Sequence, residues 1–191
     1  VPTAAVQWRG MPFQWWWCCG AAASEAASEW VDQRNADREL VLALVRRQGT
    51  ALEYADPALK ADREIVLAAV RQRGLALKFA DPALRDDREI VLEALRRSRN
   101  HSPFYWAGPA LKADREIVLA AVRQEGHALL YADPALKADR EIVLAAVQQQ
   151  GAALSYADPA LQADREIVLE AVRQQGAALS YADPALQADR E

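Results

Sequence analysis

The sequence is poor in what most small scaffolds are built from. Its only two cysteines, Cys18 and Cys19, are adjacent, too close for an ordinary disulfide, so a small disulfide-stapled secreted fold is excluded. They read as buried apolar filler rather than as a redox or metal pair. Eight Gly and nine Pro in 191 residues are too few for a collagen-like chain, and 52% hydrophobic residues are too many for a disordered one. Basic residues are outnumbered, 23 Lys and Arg against 27 Asp and Glu, which argues against a general nucleic-acid binder that must neutralise phosphates. Long apolar runs are missing too. The run from Trp15 to Ala23 is nine residues long, where a bilayer helix needs about 20. The chain starts on Val and lacks the charged start and apolar core of a signal peptide, which fits a processed product or a fragment. No nucleophile–base pair, metal-ligand cluster or phosphate loop stands out, so the expectation is a protein that is not an enzyme and holds no cofactor.

What the chain has in abundance is itself. Asp-Arg-Glu begins at Asp37, Asp62, Asp87, Asp114, Asp139, Asp164 and Asp189, at spacings of 25, 25, 27, 25, 25 and 25 residues. Residues 37–191 therefore divide into units starting at 37, 62, 87, 114, 139 and 164, with a truncated unit at 189. Residues 1–36 form a separate aromatic and Ala-rich segment.

Each unit carries its own helix punctuation. In the unit from Asp139 to Ala163, Asp139 suits an N-cap and Glu141 the positive end of a helix dipole. Ile142, Val143, Ala146 and Val147 make one apolar stripe at helical spacing. Gly151 is expected to end the helix as a left-handed C′ residue. A second short helix is expected through Leu154 and Tyr156, and Asp158-Pro159 restarts the chain with a cap and a Pro at the first helical position. No strand pattern competes, so the expected fold is all-α. One such unit cannot bury its stripe alone, and neighbours must stack into an α-solenoid. With packed helices ~8–10 Å apart, six units predict a right-handed or gently curved rod on the order of 50–60 Å long. The one aromatic per unit (Tyr54, Phe79, Tyr131, Tyr156, Tyr181) reads as a core or groove-edge residue, and the repeated Asp-Arg-Glu as capping with surface ion pairs.

The string D-R-E-I-V-L-A-A-V-x-x-x-G-x-A-L-x-Y-A resembles the hallmark of a tandem helical repeat family known only as a domain of unknown function. It is common in dinoflagellate and other algal proteins and also occurs in some intracellular bacteria. The resemblance covers residues 37–191. It implies a helical array with a binding or scaffolding role and brings no catalytic residues. Asp-Pro-Ala-Leu departs from the Ser-Glu-x-Leu more usual in the family, but keeps the N-cap.

The departures from the repeat point to partners. The unit from Asp87 to Ala113 has 27 residues, and its Arg99 to Pro109 stretch loses the usual Gly and Leu and gathers aromatics. Trp106 takes the place of the repeat Tyr, while His101, Phe104 and Tyr105 are surplus to the pattern. A loop carrying Trp and Tyr on a rigid array is a candidate contact surface, against the alternative of a local core repair. His101 alone makes a poor metal site. Five of the six Trp precede the repeats, and Phe13, Trp15, Trp16 and Trp17 form the second candidate. That cluster can cap the first repeat, dock into a partner, or sit at a membrane interface in contact with pigment or lipid. Three consecutive Trp cannot all face one surface. At the other end, Val168, Val172, Leu179 and Leu186 are expected to be partly exposed. Charge is also polarised: residues 37–113 carry 14 basic and 11 acidic groups, residues 114–191 carry 7 and 13, an asymmetry that can orient a rod on a charged partner.

The expected function is a non-catalytic scaffold or accessory subunit, bound to protein subunits of a larger assembly and to no nucleic acid. The resemblance implies an intracellular setting, a plastid or other organelle, peripheral to a membrane complex such as an algal photosystem. The alternative is an RNA-binding repeat protein, which predicts variable polar pairs at a fixed repeat position and a basic concave face.

Overall fold

A computed structural model of the chain describes residues 37–98 and 103–188. The N-terminal candidates Phe13, Trp15, Trp16 and Trp17, and His101 of the irregular unit, lie outside the described residues. Six long helices run through the rest: α1 (Arg38–Arg47), α2 (Arg63–Gln72), α3 (Arg88–Arg97), α4 (Arg115–Gln124), α5 (Arg140–Gln149) and α6 (Arg165–Gln174). Each is followed by a 3-10 helix (Gly49–Tyr54, Gly74–Phe79, Pro103–Trp106, Gly126–Tyr131, Gly151–Tyr156 and Gly176–Tyr181) and then by a single turn that starts on Pro. Among the described residues there is no strand. The fold is an all-α solenoid of tandem repeats: each long helix packs on the long helix before and after it, and the 3-10 helices stack in a parallel row.

The helix starts follow the sequence directly. Oδ1 of Asp139 accepts the backbone N–H of Glu141 and Ile142 at 2.9 and 3.3 Å, and the same cap stands at Asp37, Asp62, Asp87, Asp114 and Asp164. Asp158 caps the Pro turn through Ala160 N–H at 2.9 Å. The apolar stripe is fully buried: Ile142, Val143, Ala146 and Val147 are at 0% exposure, each large aliphatic side chain contributing roughly 1.5–3 kcal/mol.

The glycine works differently from expectation. The residue that closes α5 is Gln150, in an extended conformation with φ −154°, and no described glycine has a positive φ. Gly151 is required because the next unit is so close. A Cβ there would stand 2.5 Å from the carbonyl oxygen of Ala171 in α6. Gly49, Gly74 and Gly126 meet Ala69, Ala94 and Ala146 in the same way, at 2.4, 2.2 and 2.5 Å. Gly176 has nothing within 4 Å. The glycine is thus a contact between units, not a helix stop.

Asp-Arg-Glu is likewise an inter-unit device as well as a cap. Arg38 donates to Asp62 and Glu64 of the following unit at 2.7 and 2.6 Å. Arg63 repeats this on Asp87 and Glu89, Arg115 on Asp139 and Glu141, and Arg140 on Asp164 and Glu166. A backbone bond closes each junction, as in Asp158 N–H to Lys137 C=O at 3.0 Å.

At the far end, Leu179 is 38% exposed and Val172 and Leu186 are half-buried, as their position predicts, but Val168 is buried at 4% because α6 turns it toward the core.

Candidate partner-binding surface

One surface on which the units differ is the row of 3-10 helices. Three residues per turn superpose side chains at i and i+3, so each 3-10 helix has three rows. Gly151 and Leu154 face inward, and Ala153, also buried, shares its row with Tyr156, which is half-buried at the edge. The third row faces outward, and it varies: Thr50 and Glu53, Leu75 and Lys78, His127 and Leu130, Ala152 and Ser155, Ala177 and Ser180. The inward rows barely change because stacking fixes them.

The irregular unit rejoins this pattern at Pro103. Counting back from Asp114, Pro103 stands where other units have the inward Ala, Phe104 where they have Leu, Tyr105 on the variable row and Trp106 in the aromatic place. Phe104 is therefore not surplus and not a contact residue. It is buried at 0% in the core, filling the Leu position. Trp106 is half-buried against the core, and Tyr105 is 48% exposed. Gly108 replaces the capping Asp, and a Cβ there would lie 2.0 Å from Oδ1 of Asp86. Asp86 in turn stands where other units carry Ala. The two departures make room for one another, and Gly108 N–H keeps its bond to Arg85 C=O at 2.9 Å.

Around Tyr105 the edge and outer rows combine into an aromatic cluster. Its ring meets Trp106 edge-on with centroids 4.6 Å apart, and Tyr131 of the next unit at 5.0 Å and 72°. One unit further, His127 and Tyr156 are 5.6 Å apart. Tyr105, Glu125, His127, Leu130, Tyr131 and Tyr156 line an open groove of about 320 Å³. A second groove, of about 370 Å³, lies on the other side of Tyr105 and Trp106, against Arg85, Asp86 and Lys112. Lys112 donates to the Tyr105 carbonyl at 2.9 Å and Lys137 to the Leu130 carbonyl at 2.8 Å. Gln162 and Arg85 make equivalent bonds in their own units. These long donors close the C-terminal ends of the 3-10 helices and hold the row in place. Burial lowers the Lys112 pKa, opposed by the carboxylate of Asp86.

A model for the domain of unknown function DUF4116 matches residues 37–85, 62–112, 87–137, 114–162 and 139–187. The chain belongs to this family. Each match spans two successive units, so the family's module is a pair of repeats, consistent with a structure whose contacts join neighbours. Neither the curated proteins nor the solved structures compared with the chain gave a match. Among the described residues, no helix is long and apolar enough to cross a membrane.

Of the residues singled out from the sequence, Tyr105 and Trp106 meet in one cluster and Phe104 does not reach the surface. Tyr131 and Tyr156, read from the sequence as core or groove-edge aromatics, stand half-buried at the groove edge, whereas nothing in the sequence reading points to His127, Leu130 and Glu125. Aligning the units by their Pro shows that the outer row changes from unit to unit and that the residue before each Gly changes too (Gln48, Arg73, Glu125, Gln150, Gln175), and those two signals find them.

Proposed function

We propose that this DUF4116 array is a non-catalytic scaffold that holds a protein partner along its row of 3-10 helices. One observation carries the reading: the outer row of the 3-10 helices, exposed or half-buried beside the aromatics, changes from unit to unit, while the Gly, Ala and Leu of the other rows are spent on stacking. Interfaces favour Tyr and Trp for the same reason the cluster is notable, large contact area with little conformational freedom to lose. An RNA reader is less well supported. The repeated Arg38, Arg63, Arg88, Arg115 and Arg140 are engaged with acids of the next unit rather than offered to phosphates.

The finer assignment that the family resemblance implies is an accessory subunit of an organellar membrane complex, such as an algal photosystem. There the Trp15–Trp17 segment would meet neighbouring subunits, pigments or lipid. Co-fractionation of the full chain with such a complex, abolished when Trp15, Trp16 and Trp17 become Ser, is the outcome that assignment expects.

The scaffold reading is tested with a photo-crosslinking residue placed singly in the full chain. Positions 105, 131 and 156 should capture a discrete protein partner, and positions 71 and 96 on the long-helix side should not. Equal capture from both sides removes the reading.

A further inference from the structure

The first face of the array differs from every junction behind it. Where another unit stands in front, the first apolar residue of the long helix is Ile65, Ile90, Ile117, Ile142 or Ile167, at 0% exposure. One turn on, Ala69, Ala94, Ala121, Ala146 and Ala171 are also at 0%. In the first unit the same two places hold Leu40, half-buried, and Leu44, 46% exposed. Tyr54 is 71% exposed where Phe79, Tyr131 and Tyr156 are half-buried. Leu44 is the informative change. Each internal junction admits only a methyl there, as at Ala69, whose carbonyl oxygen would stand 2.4 Å from a Cβ on Gly49 of the unit before. Leucine overfills that space, so a further repeat, or the last unit of a second copy, would be overpacked against α1. At the opposite end no such change occurs, since the exposed Leu169 is the residue every unit carries in that place.

The backbone indicates what fits instead. In each later unit, the residue before Pro donates its N–H to the carbonyl two places before that unit's own Asp-Arg-Glu. The pairs are Asp81 to Lys60, Gly108 to Arg85, Asp133 to Lys112, Asp158 to Lys137 and Asp183 to Gln162, at 2.9 to 3.0 Å. Counted the same way from Asp37, the acceptor for Asp56 N–H is the carbonyl of Asn35. The sequence around Asn35 matches the end of a unit. Trp30-Val31-Asp32 parallels Tyr156-Ala157-Asp158, and Ala36 precedes Asp37 as Ala163 precedes Asp164, one residue shorter from Asp to Asp. Gly49 and Gly151 stand thirteen places before Asp62 and Asp164, and Ser24 takes that place before Asp37. The closing half of a unit is present without the glycine of a full one.

We infer that residues 30–36, which lie outside the described residues, close the first face of the array as a half-unit cap. At internal junctions the 3-10 helix of one unit packs on both the long helix and the 3-10 helix of the next. Trp30, in the aromatic place of such an element, therefore lies against α1 and the Gly49–Tyr54 helix and covers Leu44 and Tyr54, while Asn35 C=O accepts from Asp56. This is the terminal cap that a repeat array requires, with a larger ring than the repeat's tyrosine. A half-unit has no long helix and brings no counterpart of Arg38, so Asp37 and Glu39 stay exposed. The contact makes no use of Trp15, Trp16 or Trp17 and does not depend on what the row of 3-10 helices holds.

The test uses the purified full chain. A photo-crosslinking residue at position 44, and in a second variant at position 54, should react within its own chain, and mass spectrometry of the fragments should place the link at residues 30–36. Amide exchange followed by NMR should show Asp56 protected as Asp81 and Asp158 are. Trp30→Ser should speed exchange at Asp56 about tenfold, the effect of losing one net hydrogen bond, and leave Asp183 in the sixth unit unchanged. Replacing Trp15, Trp16 and Trp17 together with Ser should leave Asp56 as in the parent. Circular dichroism shows whether each variant keeps its helices. Links from positions 44 and 54 to residues 13–17, links between two copies, or no link at either position overturn the proposal. So does an Asp56 amide that exchanges as freely as in an unfolded chain.

Discussion

At the residue scale, the determining positions are those where two units come within a carbon atom of each other. Gly151 and Gly176 occupy equivalent places in units of nearly identical sequence, yet one lies under the Ala171 carbonyl and the other faces open space. Gly151→Ala and Gly126→Ala therefore push a methyl into a backbone carbonyl and should destabilise the array by about 1–3 kcal/mol, the usual cost of overpacking. Gly176→Ala should be neutral or stabilise by about 0.4–1 kcal/mol, because it removes freedom from the unfolded chain. Thermal unfolding followed by circular dichroism compares them directly, and equal effects at 151 and 176 would show that the glycine serves the backbone of its own unit. Gly108 and Asp86 make the complementary case. Gly108→Asp restores the repeat consensus but sets a second carboxylate against the first, so it should destabilise alone and be tolerated with Asp86→Ala. A double-mutant cycle in thermal melts reads that coupling as a clearly non-additive pair.

The element scale is where helix caps and ion pairs combine. The capping aspartates accept from their own helix through one oxygen and from the preceding unit's arginine through the other. For Asp62 the Arg38 hydrogen bond is the main reason that its pKa lies below the ordinary value. At Asp87, Asp139 and Asp164 burial pushes upward, but the arginine and the helix N–H groups together outweigh it. Carboxylates that keep their charge to lower pH in the folded state stabilise it above the ordinary carboxylate range, and that contribution is lost as pH falls through the depressed folded values. The melting temperature should therefore hold steady down to about pH 5 and drop below about pH 4. Asp139→Asn keeps the cap, since Asn caps as well as Asp, but gives up the Arg115 pair. The pair is exposed, with Arg115 at 48%, so the loss at neutral pH should be under about 1 kcal/mol. Asp139→Ala should cost roughly 1 kcal/mol more, and only the parent should show the full acid loss in melts run from pH 7 to 3.

These elements also mark the limit of what the letters reveal. Helix starts are legible because Asp before Arg-Glu-Ile and Asp before Pro each satisfy backbone donors locally. The duty of Gly151 is not legible, since a left-handed stop and a close approach demand the same residue, and only the position of Ala171 decides between them. Phe104 misleads for a related reason. A two-residue insertion hides the register, and Phe104 reads as an extra aromatic until Pro103 is aligned with the Ala of other units. Tyr131 and Tyr156 are legible as groove-edge aromatics but not as one groove, because what distinguishes them from Tyr54 or Tyr181 is the neighbour on the next 3-10 helix.

At the scale of the whole molecule, stability is distributed along a line, unit by unit, and the junctions are not equal. In the third unit the sequence between Ser98 and Pro103 carries no Gly, where the other units place theirs. Arg88 Nε is 3.6 Å from Asp114, beyond a hydrogen bond, against 2.7–3.3 Å for the equivalent pairs at the other described junctions. The packing of α3 on α4 is thinner than that of the other long-helix neighbours. Phe104, with its large side chain at 0% exposure, and the edge-on stack of Tyr105 on Tyr131 partly restore the contact. The array should therefore part here first. Amide hydrogen exchange should show α3 and α4 less protected than α2 and α5, a pattern opposite to simple fraying, in which protection only rises toward the middle. Phe104→Ala should deepen that dip and cost about 3–5 kcal/mol, while leaving exchange in α1 and α6 near the parent's. Uniform loss of protection across all six long helices would mean instead that the rod melts as one unit and the third junction is no weaker than the rest.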